Sequence, residues 1–176
     1  YMDLTSEEVR AFMLYQLAAI DGMAQTVDLK LNHVKPHGAL YNQTFKEYKL
    51  AQTIAAAVKE YNPHLKLMGL ANQNLIKAGE EIGLEVINEV FADRAYEADG
   101  TLVSRRKEGA MLTDTNLAVQ RVIRMVTEGK VESIDGKDIA IQADSICVHG
   151  DGEKALEFVR QIIEGLEKEG IQIKKI

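Results

Sequence analysis

A chain of 176 residues, 46% hydrophobic and 27% charged, has the composition of a compact globular domain with a sizeable core, which sets aside disordered and fibrous classes. The formal net charge of −6 and the lack of any Lys/Arg block argue against a nucleic-acid surface, whose affinity depends on neutralising phosphates. No apolar run approaches the roughly 20 residues of a bilayer span, no basic-then-apolar start resembles a signal peptide, and the single Cys147 permits no internal disulfide, so a cytoplasmic small-molecule protein without a membrane partner is expected.

Tyr1-Met2-Asp3 is not a natural initiation, and upstream sequence is expected. Thr5-Ser6-Glu7-Glu8 has the form of a capping box, so a helix should follow and run to about Met23 or Val27. Val9, Phe12, Met13, Leu17 and Ile20 give it one apolar stripe. Leu31 to Val34 reads as a strand closed by Lys35-Pro36, with a loop through Asn42. Ala51, Ile54, Ala55 and Val58 predict a second helix ending at Asn62-Pro63. A strand over Leu65 to Leu70, a short helix from Gln73 to about Ile82 closed by Gly83, and a strand over Leu84 to Val90 follow. Alternating strand and helix implies parallel strands with helical crossovers, hence an α/β fold.

Beyond Val90 a polar loop runs from Phe91 to about Asp114, longer than ordinary connections and therefore a candidate carrier of function. A helix over Thr115 to Thr127 comes next. Val131 to Ile134 and Lys137 to Ile141 flank Asp135-Gly136, the signature of a type I′ hairpin. Ser145 to Val148 reads as a last buried strand, Leu156, Val159, Ile163 and Leu166 stripe a C-terminal helix, and Ile171 to Ile173 suggests a short closing strand. No repeat or linker divides the chain, so one domain over residues 1–176 is expected.

Four predicted strands end in polar clusters: Lys35-Pro36-His37-Gly38, Asn72-Gln73, Asp93-Arg94 and His149-Gly150-Asp151. In parallel α/β folds the C-terminal strand ends share one face, so these clusters should converge around a substrate. They offer imidazoles, carboxylates and cations for acid/base chemistry, oxyanion stabilisation or a carboxylate clamp. Each has a plainer reading. Asp151 suits a helix N-cap, the histidines can serve backbone groups, Asp93-Arg94 can form a local ion pair, and Asp99-Gly100 is a turn. Arg105-Arg106-Lys107 reads first as solvated surface, with Arg105 the member suited to gripping an anion. His33 and His64 read as structural and exposed, and Cys147 as core. Phosphate-loop, dinucleotide, zinc-helix and Cys-pair motifs are all absent from the sequence.

The run Val34-Lys35-Pro36-His37-Gly38-Ala39-Leu40-Tyr41-Asn42 resembles the signature of the LamB/YcsF family. Two further stretches resemble it in order: Phe91-Ala92-Asp93-Arg94-Ala95-Tyr96 running into Asp99-Gly100-Thr101-Leu102-Val103-Ser104-Arg105, and Ser145-Ile146-Cys147-Val148-His149-Gly150-Asp151. The resemblance implies a seven-stranded-type β/α barrel similar to carbohydrate deacetylases, acting with B and C subunits in the ATP-dependent opening of 5-oxoproline to glutamate. ATP enters as its magnesium complex, and a further bound metal stays open. The family's acidic, histidine-bearing N-terminal segments, resembling DLNCDLGE and GAHPGYPD, do not occur in this sequence, so an incomplete barrel with an unpaired edge is expected. The resemblance places His37, Asp93 and His149 in catalysis, and Lys35, Asn72, Arg94, Arg105 and Asp151 in binding substrate or phosphate. Two rivals remain, a metal-dependent deacetylase-type amide hydrolase acting on carbohydrate and a non-catalytic substrate-binding or scaffold protein.

Overall fold

The computed structural model describes residues 1–150 and 155–176. They form two compact units, Tyr1–Ile87 and Asn88–Ile176.

In the first unit, helix α1 (Ser6–Gln25) starts at the expected capping box. Thr5 Oγ1 accepts from the Glu8 amide at 3.2 Å, and the Glu8 carboxylate accepts from the Thr5 amide at 2.8 Å. Its apolar stripe is narrower than expected. Val9, Met13 and Leu17 are buried in one i, i+4, i+8 ridge, whereas Phe12 and Ile20 are 52% and 54% exposed. A helix packed on one neighbour buries one ridge, and positions one residue away point about 100° off it. Strand β1 is only His33–Val34, with the proline at Pro36 unable to donate to a ladder. The expected loop through Asn42 is instead helix α2 (Gly38–Thr44). The buried Tyr41 ring meets Phe45 edge-on at 5.3 Å, an i, i+4 contact that favours helix over loop.

Helix α3 (Tyr48–Tyr61) buries Ala51, Ile54, Ala55 and Val58 completely and stops at Asn62, as the periodicity requires. Strand β2 (Lys66–Leu70) pairs in parallel with β1, His33 opposite Lys66 and Val34 opposite Leu67. Helix α4 (Asn74–Glu81) begins with Asn74, whose amide nitrogen donates to the Thr44 and Phe45 carbonyls at 3.0 Å and so satisfies free acceptors at the end of α2. Strand β3 (Val86–Phe91) starts in this unit and continues into the second.

In the second unit β3 pairs in parallel with β6 (Ser145–Cys147), Phe91 opposite Cys147. Asp144 fixes that register: its carboxylate accepts from the Asn88 amide at 2.8 Å and from the Asn88 side chain at 3.0 Å, and its own amide donates to the Asn88 carbonyl at 2.9 Å. β6 and Cys147 are half-buried rather than core, because β6 is an edge strand. Helix α5 (Thr115–Glu128) is capped by Asp114, which accepts from the Asn116 and Leu117 amides at 2.9 and 3.2 Å. Strands β4 (Lys130–Glu132) and β5 (Asp138–Ala140) form the expected hairpin with a different turn. Gly136 alone takes positive φ, at +74°, while Gly136 donates to the Ser133 carbonyl at 2.9 Å and Ser133 to that of Lys137 at 2.8 Å. That is a three-residue loop with a glycine bulge, not a type I′ turn.

Helix α6 (Ala155–Lys168) packs on α5 through Ile162 and Leu166, while Leu156 is exposed. Gly165 allows the close approach, since a Cβ there would stand 2.7 Å from Val119 Cγ1. Residues 171–173 form no strand. The Ile171 amide instead donates to the Leu166 carbonyl at 2.9 Å behind Gly170 at φ +75°, closing the helix end. The class is therefore α/β with parallel strand pairing and one small antiparallel hairpin, as the sequence implies.

Candidate active site

The end of β3 delivers Asp93, and the loop after it is folded rather than slack. Leu112 donates to the Asp93 carbonyl at 2.9 Å, Ala95 to that of Ala110 at 3.0 Å, and Val103 to that of Ala95 at 3.0 Å. A buried loop must satisfy its backbone groups internally. Asp93 is thus fixed through its main chain while its side chain faces His149. Asp93 Oδ2 lies 2.7 Å from His149 Nδ1, and Oδ1 is buried without a hydrogen-bond partner among the described residues.

His149 follows β6 and is held on three sides. Its ring lies 5.7 Å from that of Phe91, inclined by 30°. Nδ1 meets Asp93, and Nε2 stands 2.8 Å from Arg105 Nη2. A guanidinium can only donate and a carboxylate only accept, so the consistent arrangement has Nδ1–H donating to Asp93 and Nε2 accepting from Arg105. The two partners on opposite sides of the ring fix the tautomer.

Tyr96, fully buried, supports this from behind. Its hydroxyl accepts from the Phe91 amide at 2.8 Å, and burial pushes the phenol well above its usual range. Arg94 is buried and turned into the loop, where Nη2 donates to the Val103 carbonyl at 2.5 Å and Nε has no partner among the described residues. Burial holds this guanidinium below its usual range, the Arg105 charge adds to the lowering, and Asp93 opposes it. Asp99 makes the expected turn, accepting from the Thr101 amide at 2.9 Å.

Of the residues singled out from sequence, Asp93, Arg105 and His149 are in direct contact. Lys35, His37 and Asn72 belong to the first unit. The Lys35 ammonium lies 5.7 Å from the Tyr41 ring centre. His37 is exposed at the N-cap of α2, with no capping bond from its side chain. Asn72 is exposed with φ +61°, a left-handed conformation that asparagine tolerates better than most residues. Asp151 lies outside the described residues. His33 and His64 are exposed as expected. Among the described residues no group of three or more His, Cys, Asp and Glu side chains is placed to hold a metal ion, and no helix is long and apolar enough to cross a membrane.

The model of the LamB/YcsF family matches residues 1–176. The chain belongs to the LamB/YcsF family. It is 53% identical over 172 residues to the A chain of the 5-oxoprolinase of Clostridium beijerinckii, an alignment covering 98% of this chain and 68% of that protein. The Staphylococcus aureus JH9 protein of the same name is 50% identical over 175 residues, covering 99% of this chain and 70% of its own length. Among solved structures, the lactam utilization protein from Thermus thermophilus superposes with a TM-score of 0.91 at 39% identity, over 99% of this chain and 70% of that one.

Within this LamB/YcsF chain, three contributors to the site escape a reading by motif. Phe91 backs the imidazole, Tyr96 anchors the Phe91 amide, and Asp144 sets the β6 register that delivers His149. A lone tyrosine within a polar loop is the available signal for Tyr96. Nothing local marks Asp144, whose partner Asn88 is 56 residues away.

Proposed function

We propose that this chain opens the lactam ring of 5-oxo-L-proline to L-glutamate, coupled to ATP hydrolysis, as the A component of an assembly with B and C partners. The observation that carries the reading is the Asp93–His149–Arg105 chain of contacts, supported by relatives whose names are those of 5-oxoprolinase components.

Lactam opening needs an electrophilic carbonyl and a base for the attacking water. His149 is the base. Asp93 holds its Nδ1 proton and stabilises the imidazolium that forms when Nε2 takes a proton from water. In the structure Nε2 is covered by Arg105, which is exposed and therefore mobile enough to leave. A substrate carboxylate or phosphate is a better acceptor for a guanidinium than a neutral imidazole. Anion binding would draw Arg105 away and uncover Nε2, so the base becomes competent when substrate is present.

ATP supplies the phosphoryl group that activates the carbonyl when it is bound. Arg105 fits a phosphate by charge, exposure and freedom from any carboxylate partner among the described residues. Lys35 and Asn72 are the binding candidates of the first unit, and the exposed His37 is a second proton carrier. Magnesium would arrive on the nucleotide, consistent with its preference for phosphate and water ligands over all-protein cages. Arg94, committed to the Val103 carbonyl, holds the loop.

The test is 5-oxoproline-dependent release of glutamate and phosphate, with ATP and magnesium, by the chain with and without its B and C partners. Glutamate formed only in the assembled mixture, and lost by about 10²-fold or more in His149→Ala, is the expected result. Silence in every mixture, with partners folded and bound, would overturn the reading in favour of a deacetylase-type hydrolase. Undiminished turnover by His149→Ala would leave the chain a binding component.

A further inference from the structure

A second cavity, of about 390 Å3, lies in the second unit between α5 and the β4–β5 hairpin, and its lining includes none of Asp93, Arg105 and His149. Three cations border it: Arg121, Arg124 and Lys130. Arg124 is neutralised, because its guanidinium grips Asp138 through two nitrogens, at 2.7 and 2.5 Å, and Glu128 through Nε at 2.9 Å. Arg121 is different. Its one hydrogen bond among the described residues is a long contact of 3.3 Å from Nη2 to the Glu132 carbonyl, and its Nε is buried with no partner. Burial holds this guanidinium below its usual range, partly offset by Tyr96 and Glu132.

A desolvated guanidinium with unused donors is costly unless an acceptor arrives. Lys130 adds one positive charge to the rim and Glu132 one negative, so Arg121, Lys130 and Glu132 together leave a net charge of one. The buried Ser133 hydroxyl accepts from the Lys137 amide at 3.2 Å and keeps its proton to donate. The remaining wall is apolar, including Leu112, Leu117, Val131 and Ile134. The volume falls in the ordinary range for small-molecule sites, about 300–1,000 Å3.

We infer that this cavity binds a small organic monoanion, a carboxylate with an apolar body, whose carboxylate pairs with Arg121 and Lys130. The guanidinium takes the carboxylate side-on, Ser133 donates a further hydrogen bond, and the aliphatic wall receives the body. One carboxylate matches the net charge, whereas a dianionic phosphate would exceed it and leave the apolar wall unfilled.

The experiment is a titration of the chain with hexanoate and, separately, with inorganic phosphate, followed by NMR at the Arg121 Nε–H resonance and the Leu117 and Val131 methyls. Hexanoate should shift both sets of signals saturably and bind more tightly than phosphate. Arg121→Gln should weaken hexanoate by about tenfold or more and Lys130→Ala, at an exposed position, by a few-fold. His149→Ala should leave it unchanged, which separates this site from the proposed catalytic one. No shift up to about 10 mM hexanoate would overturn the inference, the top of that range lying at the weak end of useful affinity. So would preferential binding of phosphate, or unchanged hexanoate affinity in Lys130→Ala and in a folded Arg121→Gln.

Discussion

Asp93→Asn removes one charge and almost no volume, so its effect isolates what the carboxylate does. Asp93 Oδ2 takes the His149 Nδ1 proton at 2.7 Å, and Oδ1 is buried with no hydrogen-bond partner among the described residues. An asparagine has two ways to sit there. With its carbonyl oxygen on His149, the amide group occupies the Oδ1 position and buries two N–H donors without an acceptor among the described residues. With the amide group on His149 instead, Nδ1 must accept, the ring proton moves to Nε2, and it confronts the Arg105 donor 2.8 Å away. Either choice leaves buried polar groups unsatisfied, at about 1–3 kcal/mol. For a protein of this size that lowers the melting temperature by roughly 2–12 °C. Turnover in the assembled enzyme should fall by about 10²–10⁴-fold, the range for losing a competent base. Calorimetry gives the first number, coupled glutamate release the second, and long-range 1H–15N spectra of His149 report the tautomer. An Asp93→Asn protein that keeps the Nδ1–H tautomer, melts within about 1 °C of wild type and turns over normally would refute the assignment of Asp93.

Tyr96→Phe removes the acceptor for the Phe91 amide inside a fully buried pocket and should cost about 1–3 kcal/mol, seen in urea melts, with turnover lost by displacement of His149 rather than by loss of a reacting group. Gly165→Ala would drive a Cβ to 2.7 Å from Val119 Cγ1, so despite alanine's better helix propensity it should destabilise by about 1–3 kcal/mol. Adding Val119→Ala should recover part of that loss, which a double-mutant cycle measures directly. The Asp138 carboxyl is held below its usual range, chiefly by the hydrogen bonds from Arg124. A depressed carboxylate stabilises the fold above its unfolded value, about pH 3.9, and loses that contribution as pH falls through the lower folded value. Hydrogen exchange across β4 and β5 should accelerate below about pH 4 in wild type, and Asp138→Asn should remove that pH dependence.

The parts of the fold that are legible in the sequence are those whose signal is local. Thr5 and Glu8 lie three residues apart, Ala51 to Val58 repeat on one helical ridge, and Gly83 follows the end of α4, so each element declares itself within a few residues. The misread positions depend on what lies across from them. Phe12 and Ile20 have the right spacing for a buried face, but α1 buries only the ridge through Val9, Met13 and Leu17. Gly38 to Thr44 reads as a loop because Pro36 and Gly38 are breakers, and the helix that forms is stabilised by Tyr41 against Phe45. At Asp135-Gly136 the hairpin forms with a different turn, because Ile134 donates to the Tyr96 carbonyl at 2.8 Å, and that contact commits it to the loop after β3.

The candidate site divides along the same line. Asp93 and His149 stand at strand ends, where the α/β topology favours chemistry before any contact is known, and they do meet. Arg94 and Arg105 are equally cationic and belong to one loop, yet burial separates their fates. Arg94 enters the interior and its guanidinium serves the Val103 carbonyl, whereas Arg105 stays at the surface and reaches the imidazole. The division follows from the loop's backbone. The bonds from Ala95 to Ala110 and from Leu112 to Asp93 turn a segment of polar sequence inward, so that the run from Ala92 to Tyr96 is buried throughout. A side chain in that run must find a partner inside or carry a desolvation penalty, and the penalty on Arg94 shows as a guanidinium held below its usual range. Arg105, beyond the buried run, carries no such penalty and can exchange one acceptor for another. That freedom is what a group covering the reactive nitrogen of a base requires, and it ties the chemistry of His149 to the depth of the loop as well as to the residues it touches.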